Sequence, residues 1–183
     1  MATPSNEVTL GAAPPAFALP DVTTGRTVSL DEVRAGRALL VMFLCRHCPY
    51  VKHVESEIAR IGRDYGSKLG IVGISANDAA TYPEDAPPSL KEQAASVGFT
   101  FPYLYDESQR VARAYGAVCT PELFLFDPSP ELAYHGRLDG TRTGREAANG
   151  SDLRAALDAV LSGRPVPGSQ HPSVGCSIKW KKG

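Results

Sequence analysis

The chain has 183 residues, a formal net charge of −1 and no basic run longer than Lys181-Lys182; that length supports one domain with a core that needs no disulfide staples, and the near-neutral balance argues against nucleic acid or an anionic membrane as partner. No stretch reaches the length of a transmembrane helix, and the opening Met-Ala-Thr-Pro-Ser-Asn-Glu lacks the charged region and apolar core of a signal peptide. A cytoplasmic location is therefore expected, where the four cysteines point to catalysis, redox sensing or metal binding rather than to structural bridges.

In chain order, strands and helices alternate, which predicts an α/β sandwich. Residues 16–30 read as a β-hairpin, with Phe17, Leu19, Val28 and Leu30 around a Thr-Thr-Gly-Arg turn. The uninterrupted apolar run Ala38 to Leu44 reads as a strand buried on both faces. It ends directly in Cys45-Arg46-His47-Cys48, followed by Pro49. A helix over 48–65 follows, because Val51, Val54, Ile58, Ile61 and Tyr65 recur at steps of three and four.

Residues 69–76 form a second buried strand, and 77–88 a proline-rich loop, read as a crossover connection in which Asn77 is the side chain of interest. A weaker helix over 89–97, a short strand near 102–105 and a helix over 107–115 come next. Residues 123–127 and 131–138 make a hairpin around Pro128-Ser129-Pro130, a last helix spans 152–161, and 163–183 is an irregular tail rich in proline and glycine.

Two cysteines separated by two residues at a strand-to-helix junction are placed for reversible disulfide chemistry. The helix N-terminus carries partial positive charge that favours a thiolate. Cys45 is expected at the mouth of the helix with its sulfur exposed, and Cys48 one turn further in and more sheltered. Arg46 and His47 add positive charge between them and are candidates for tuning the potential. His53, His135 and His171 have no partner nameable from the sequence and read as surface residues. About 70 residues on, Cys119-Thr120-Pro121-Glu122 precedes the apolar Leu123-Phe124-Leu125-Phe126. Proline at the first residue of a strand is sterically allowed by itself.

With Cys45-x-x-Cys48-Pro49 between strand and helix and Thr120-Pro121 before a later strand, the chain resembles the thioredoxin superfamily. The segment Gly11-Ala-Ala-Pro-Pro-Ala-Phe-Ala-Leu-Pro-Asp-Val22 and the tail Pro172-Ser-Val-Gly-Cys-Ser-Ile-Lys-Trp180 are similar to a peroxiredoxin-like (redoxin, AhpC/TSA-like) branch that carries a thioredoxin-type cysteine pair. The resemblance implies a three-layer α/β/α thioredoxin-like fold with a central mixed sheet over residues 1–162, and a tail, 163–183, on the same domain. It also implies a cis Thr120–Pro121 bond beside which a substrate backbone pairs, and thiol–disulfide exchange in which Cys45 attacks and Cys48 resolves. The expected partners are protein or small-molecule disulfides and thiols, with a thioredoxin-type reductant as a candidate, and no cofactor.

The chain departs from the peroxiredoxin frame. Aligned on Cys48, Val41 stands where the frame has proline and Cys45 where it has threonine, and Pro121 occupies the neighbourhood of the later arginine. Those groups bind the peroxide and stabilise the departing oxyanion, so a peroxidase using Cys48 is the disfavoured alternative. A metal-binding or redox-sensing module is a third reading, although isolated Cys119 and Cys176 do not give the paired spacing of a structural zinc site. Both remain candidate accessory thiols: Cys119 lies two residues before Pro121, and Ile178 and Trp180 are placed to pin the tail so that Cys176 meets another thiol.

Overall fold

The computed structural model describes residues 2–182. The chain opens with a short strand, β1 (Ala2–Pro4), and a hairpin of β2 (Ala18–Pro20) and β3 (Thr27–Ser29) that sets Leu19 opposite Val28. Helix α1 (Leu30–Arg34) follows at once, the Ser29 side chain accepting from the Glu32 N–H as an N-cap does. Strand β4 (Leu39–Phe43), helix α2 (Pro49–Tyr65) and strand β5 (Gly70–Ser75) form a βαβ unit with β4 and β5 parallel. After a 3₁₀ turn at Pro83–Asp85 come α3 (Pro87–Val97), β6 (Tyr103–Tyr105), α4 (Arg110–Tyr115), β7 (Cys119–Thr120), β8 (Glu122–Phe126), β9 (Leu132–Gly136), α5 (Ser151–Leu161) and β10 (Val174–Ser177).

The main sheet has the order β6-β5-β4-β8-β9, parallel on the β5 side of β4 and antiparallel on the β8 side. Side chains alternate across a strand, and β4 shows why its whole run is apolar. Leu40 and Met42 face α2 and α5 through Val54, Ile58, Ile61, Leu153 and Leu157. Leu39, Val41 and Phe43 face α1 and α4 through Val33, Val111 and Tyr115. The architecture is the expected three-layer α/β/α sandwich around a mixed sheet. Each fully buried large side chain in these layers contributes roughly 1.5–3 kcal/mol.

Three local readings change. α3 starts at Pro87 rather than 89, since proline suits the first turn of a helix. α4 starts at Arg110 rather than 107, because Gln109 takes a left-handed φ of 61° and ends the turn that precedes it. The tail is not wholly irregular: β10 pairs with β1 on one side and β7 on the other in a separate three-stranded sheet. Val-Gly-Cys-Ser carries no readable period, and its partners, β1 at the start of the chain and β7 at Cys119–Thr120, are both far from it in sequence.

The tail is anchored beyond β10 as well. The Ile178 N–H donates to the Val118 carbonyl, and Ile178 is buried in the α1/α4 face of the core. The Arg113 guanidinium lies 4.3 Å over the Trp180 ring. Gln109 donates to the Lys179 carbonyl and accepts from the Lys181 N–H. No helix of the described residues is long and apolar enough to cross a membrane.

Candidate active site

The two cysteines sit where β4 runs into α2. Cys45 follows the end of the strand, Arg46 and His47 make the turn, and Cys48 is the N-cap residue of α2 with Pro49 as its first helical residue. Proline brings no N–H, so the first free donors of the helix are those of Tyr50 and Val51, and the Val51 N–H acts on the Cys48 sulfur.

Thr120 stands across from the pair, with the Thr120–Pro121 bond cis. The Cys45 Sγ lies 3.1 Å from the Thr120 hydroxyl, and the Cys48 thiol, when protonated, donates to the Thr120 carbonyl at 3.3 Å. One residue therefore touches both sulfurs from opposite ends of its structure.

Exposure corrects the sequence expectation. Both Cys45 and Cys48 are fully buried, where Cys45 was expected to reach solvent. The covering element is the tail, whose β10 pairs antiparallel with β7 so that Cys176 is opposite Thr120 and Ser177 opposite Cys119. The backbone edge before Pro121, expected to receive a substrate, is thus already paired with the chain's own strand. Gly175 makes that approach feasible: a Cβ there would come within 1.9 Å of the Thr120 carbonyl oxygen.

The electrostatics of the two sulfurs differ. Cys48 is drawn well below the ordinary thiol range, first by the Cys45 thiol and then, against the cost of burial, by the Cys176 thiol and the N–H groups of Val51 and Cys176. Cys45 is pushed in the opposite direction by its place as donor to Cys48, by burial and by the carboxylate of Asp85. Sharing one proton, the pair holds its negative charge on Cys48. Thr120 opposes this in part, since its carbonyl favours a protonated Cys48, but it is one group against four donors.

Asp85 is the principal site residue that the sequence reading missed. It is wholly buried at the end of the 3₁₀ turn and accepts from the N–H groups of Arg46 at 2.8 Å and His47 at 3.2 Å. The Asn77 amide donates to it at 2.7 Å, and the His47 Nδ1 bonds its second oxygen. Asn77, singled out from the sequence, also accepts from the Lys179 N–H at 2.8 Å. The loop read as a simple crossover therefore ties the cysteine turn to the tail. Its length and prolines were the available signal; nothing in Pro83-Glu84-Asp85-Ala86-Pro87 distinguishes Asp85 from a surface acid.

The Arg46 guanidinium is turned to α3, whereas His47 keeps a ring nitrogen within 4.8 Å of both Asp85 and Cys45 Sγ. The Arg46 guanidinium donates to the Ser89 carbonyl and the Glu92 carboxylate, both at 2.8 Å. The His47 ring faces Asp85 and stacks on Tyr82 at 5.6 Å. The backbone N–H groups of both residues act as well, by holding Asp85. Gln93, buried, adds a further support by donating to the Cys45 carbonyl at 3.3 Å.

His135 is also corrected: it is buried, with Nε2 2.9 Å from Glu122, whose other oxygen accepts from the Val118 and Cys119 N–H groups. This second His–carboxylate pair braces β7 from below. His53 meets the Thr141 hydroxyl at 2.9 Å, and His171 is exposed. Cys119 is buried against Glu122, and burial followed by that carboxylate holds its thiol protonated. Cys176 is half-buried, making it the thiol of the four nearest to solvent.

Three donor atoms, on Cys45, His47 and Asp85, lie within 4.8 Å of one another and are the group suited to a metal ion. Both Asp85 oxygens already accept protein hydrogen bonds there. Beside the sulfurs rather than over them opens a cavity of about 560 Å³, bordered by Tyr50, His53, Pro121, Arg142 and Val174.

A profile described as the AhpC/TSA family matches residues 10–135. The chain belongs to the AhpC/TSA family. This AhpC/TSA chain is similar over its full length to an uncharacterized conserved protein from Geobacillus kaustophilus, at 48% identity and TM-score 0.96, covering 98% of that chain. A hypothetical protein from Sinorhizobium meliloti matches at 44% identity and TM-score 0.95, with 99% of this chain and 100% of that one covered. A thiol:disulfide interchange protein of the thioredoxin family from Chlorobium tepidum shares the fold at 19% identity and TM-score 0.62, over 85% of this AhpC/TSA chain and 99% of its own. No curated protein matches.

Proposed function

We propose that this protein is a thiol–disulfide oxidoreductase that cycles a Cys45–Cys48 disulfide. The observation that carries the reading is the asymmetry of the pair: Cys48 is the N-cap residue of α2, where the helix end favours a thiolate, while Cys45 Sγ lies within 4.8 Å of the buried Asp85 carboxylate, which disfavours one. The thiolate is the attacking species in disulfide exchange. Cys48 is therefore assigned the exchange with the partner, and Cys45 the resolving step that forms the intramolecular disulfide. This reverses the roles that the sequence resemblance implied. Membership in the AhpC/TSA family and the thioredoxin-like architecture support a redox role in general.

A peroxidase that uses Cys48 has less support. The Thr120 hydroxyl is engaged by Cys45, and Cys45 itself stands where the peroxiredoxin frame has its threonine. The threonine and arginine that stabilise the departing oxygen in that frame are not at their positions, where Cys45 and Pro121 stand.

The test is a redox titration in dithiothreitol buffers with alkylation and peptide mapping of all four cysteines. One two-electron transition that includes the Cys45–Cys48 disulfide is expected. A pair that stays reduced across the titration, with stoichiometric metal in the purified protein, would replace exchange with the metal-binding reading.

A further inference from the structure

Exchange needs a path between a buried pair and a partner in solution, and the geometry at Thr120 supplies one. Thr120 meets three cysteines at once: its hydroxyl is 3.1 Å from Cys45 Sγ, its carbonyl 3.3 Å from Cys48 Sγ, and its backbone is the β-pairing partner of Cys176. Cys48 Sγ thus bonds the residue that Cys176 pairs with, and Cys176 packs against the core cluster that holds both Cys45 and Cys48.

The placement of Cys176 is held from both sides. Gly175 fits against the Thr120 carbonyl where no side chain fits, and the N-terminal strand β1 pairs Ala2 with Cys176 on the outer edge. Val174, two residues away and so on the same face of β10, is exposed and borders the cavity beside Pro121. The strand presents a cysteine to the site in the pairing that a substrate backbone would otherwise use, and that cysteine has a side toward solvent.

We propose that Cys176 is a third redox thiol, through which the buried Cys45–Cys48 disulfide exchanges with a dithiol partner by way of a Cys48–Cys176 disulfide. The proposal rests on the exchange reading above. Starting from the oxidised pair, the Cys176 thiolate attacks Cys48 Sγ. The Cys48–Cys176 bond forms, the Cys45–Cys48 bond breaks, and Cys45 leaves as thiolate and takes up the proton that Cys176 gave up. A thiolate of the external dithiol then attacks Cys176 Sγ, and Cys48 leaves as thiolate. The second thiol of the dithiol attacks its own sulfur in the mixed disulfide and releases Cys176. The protein has gained two electrons and one proton, since Cys48 stays a thiolate; the dithiol has become a disulfide and its other proton has gone to solvent. Run backwards, the same steps oxidise the pair. Burial first and the neighbouring Cys48 thiolate second hold Cys176 up to about 11 in the reduced protein. The second influence vanishes once Cys48 is in a disulfide, when Cys176 has to attack.

Two measurements test this. Cys45→Ser is oxidised with oxidised dithiothreitol and mapped after alkylation; a Cys48–Cys176 disulfide is expected. In stopped-flow reduction by dithiothreitol, Cys176→Ser and Cys176→Ala should both slow reduction of the Cys45–Cys48 disulfide roughly tenfold or more, and the serine variant, which keeps a hydrogen-bond donor beside Cys48, separates loss of the relay thiol from loss of the donor. Wild-type rates in both variants, or Cys48 and Cys176 both alkylated in oxidised Cys45→Ser, would overturn the relay while exchange through the pair stands. A wild-type protein that never forms the Cys45–Cys48 disulfide would overturn the exchange reading itself, and the relay with it.

Discussion

The two ends of the cysteine pair are built from different parts of the chain. The Cys45 end is governed by the 77–85 loop, which brings the buried carboxylate of Asp85 beneath the turn. The Cys48 end is governed by the first turn of α2 and by β10, which bring N–H groups and a second thiol. The sulfurs are neighbours, yet one faces negative charge and the other faces donors. Under the proposed assignment the thiolate is placed by the adjoining helix end together with two segments remote from the Cys-x-x-Cys motif, the 77–85 loop and β10.

The sharpest way to break this comparison is to remove each sulfur. Cys48→Ser should abolish exchange with a disulfide substrate, by at least on the order of a thousandfold as expected for loss of an attacking group. Cys45→Ser should still react once at Cys48 and then stop as a disulfide visible by intact mass. The opposite pattern would return the attacking role to Cys45.

The Cys48 end can be opened separately. Gly175→Ala forces a methyl group toward the Thr120 carbonyl at 1.9 Å, an overpacking expected to cost about 1–3 kcal/mol. β10 should detach, and iodoacetamide should alkylate reduced Cys48 roughly tenfold faster or more, following the population of the open form. An unchanged alkylation rate would mean that the tail does not shield the pair.

At the Cys45 end, Asp85→Asn leaves the Arg46 and His47 N–H groups without their charged acceptor. A loss of about 1–3 kcal/mol in chemical denaturation is expected from that buried network. The Cys45 thiol should titrate lower, since a carboxylate that raises it is gone.

The smallest effect sharpens the sulfur-to-sulfur interaction. In reduced protein, ultraviolet thiolate absorbance should report Cys48 ionised far below the ordinary range, toward about 4. Cys45→Ala removes its leading donor and should move that titration upward. The sign for stability follows from the depressed value: the Cys48 contribution is complete above the unfolded thiol pKa and is lost as pH falls through the folded one. A stability difference between wild type and Cys48→Ser that stays constant as the pH falls would contradict that linkage.

Much of the fold was open to local reading. Apolar runs at 38–44 and 69–76 and the three-four spacing from Val51 to Tyr65 each carry their own period, and burial on both sheet faces made those periods strong. The same logic placed Cys48 at a helix start, where Pro49 permits an N-cap and no more. What local reading did not reach is the set of contacts made across distance. Asp85 is an acid in a proline-rich loop until folding encloses it under Arg46 and His47. His135 reads as a surface residue until β8 brings Glu122 beside it. β10 has four residues, one of them glycine, and becomes a strand only because β1 and β7 supply partners from elsewhere.

The sequence by itself therefore determined the sandwich, the strand-turn-helix and the presence of a vicinal thiol pair, because periodicity and helix-end chemistry act between residues close in the chain. Only the tertiary structure decided which groups face each sulfur, what covers the pair and that Cys176 stands opposite Thr120. Those outcomes depend on hydrogen bonds and burial between segments 39 to 128 residues apart, and such contacts leave no mark in the local pattern of either segment.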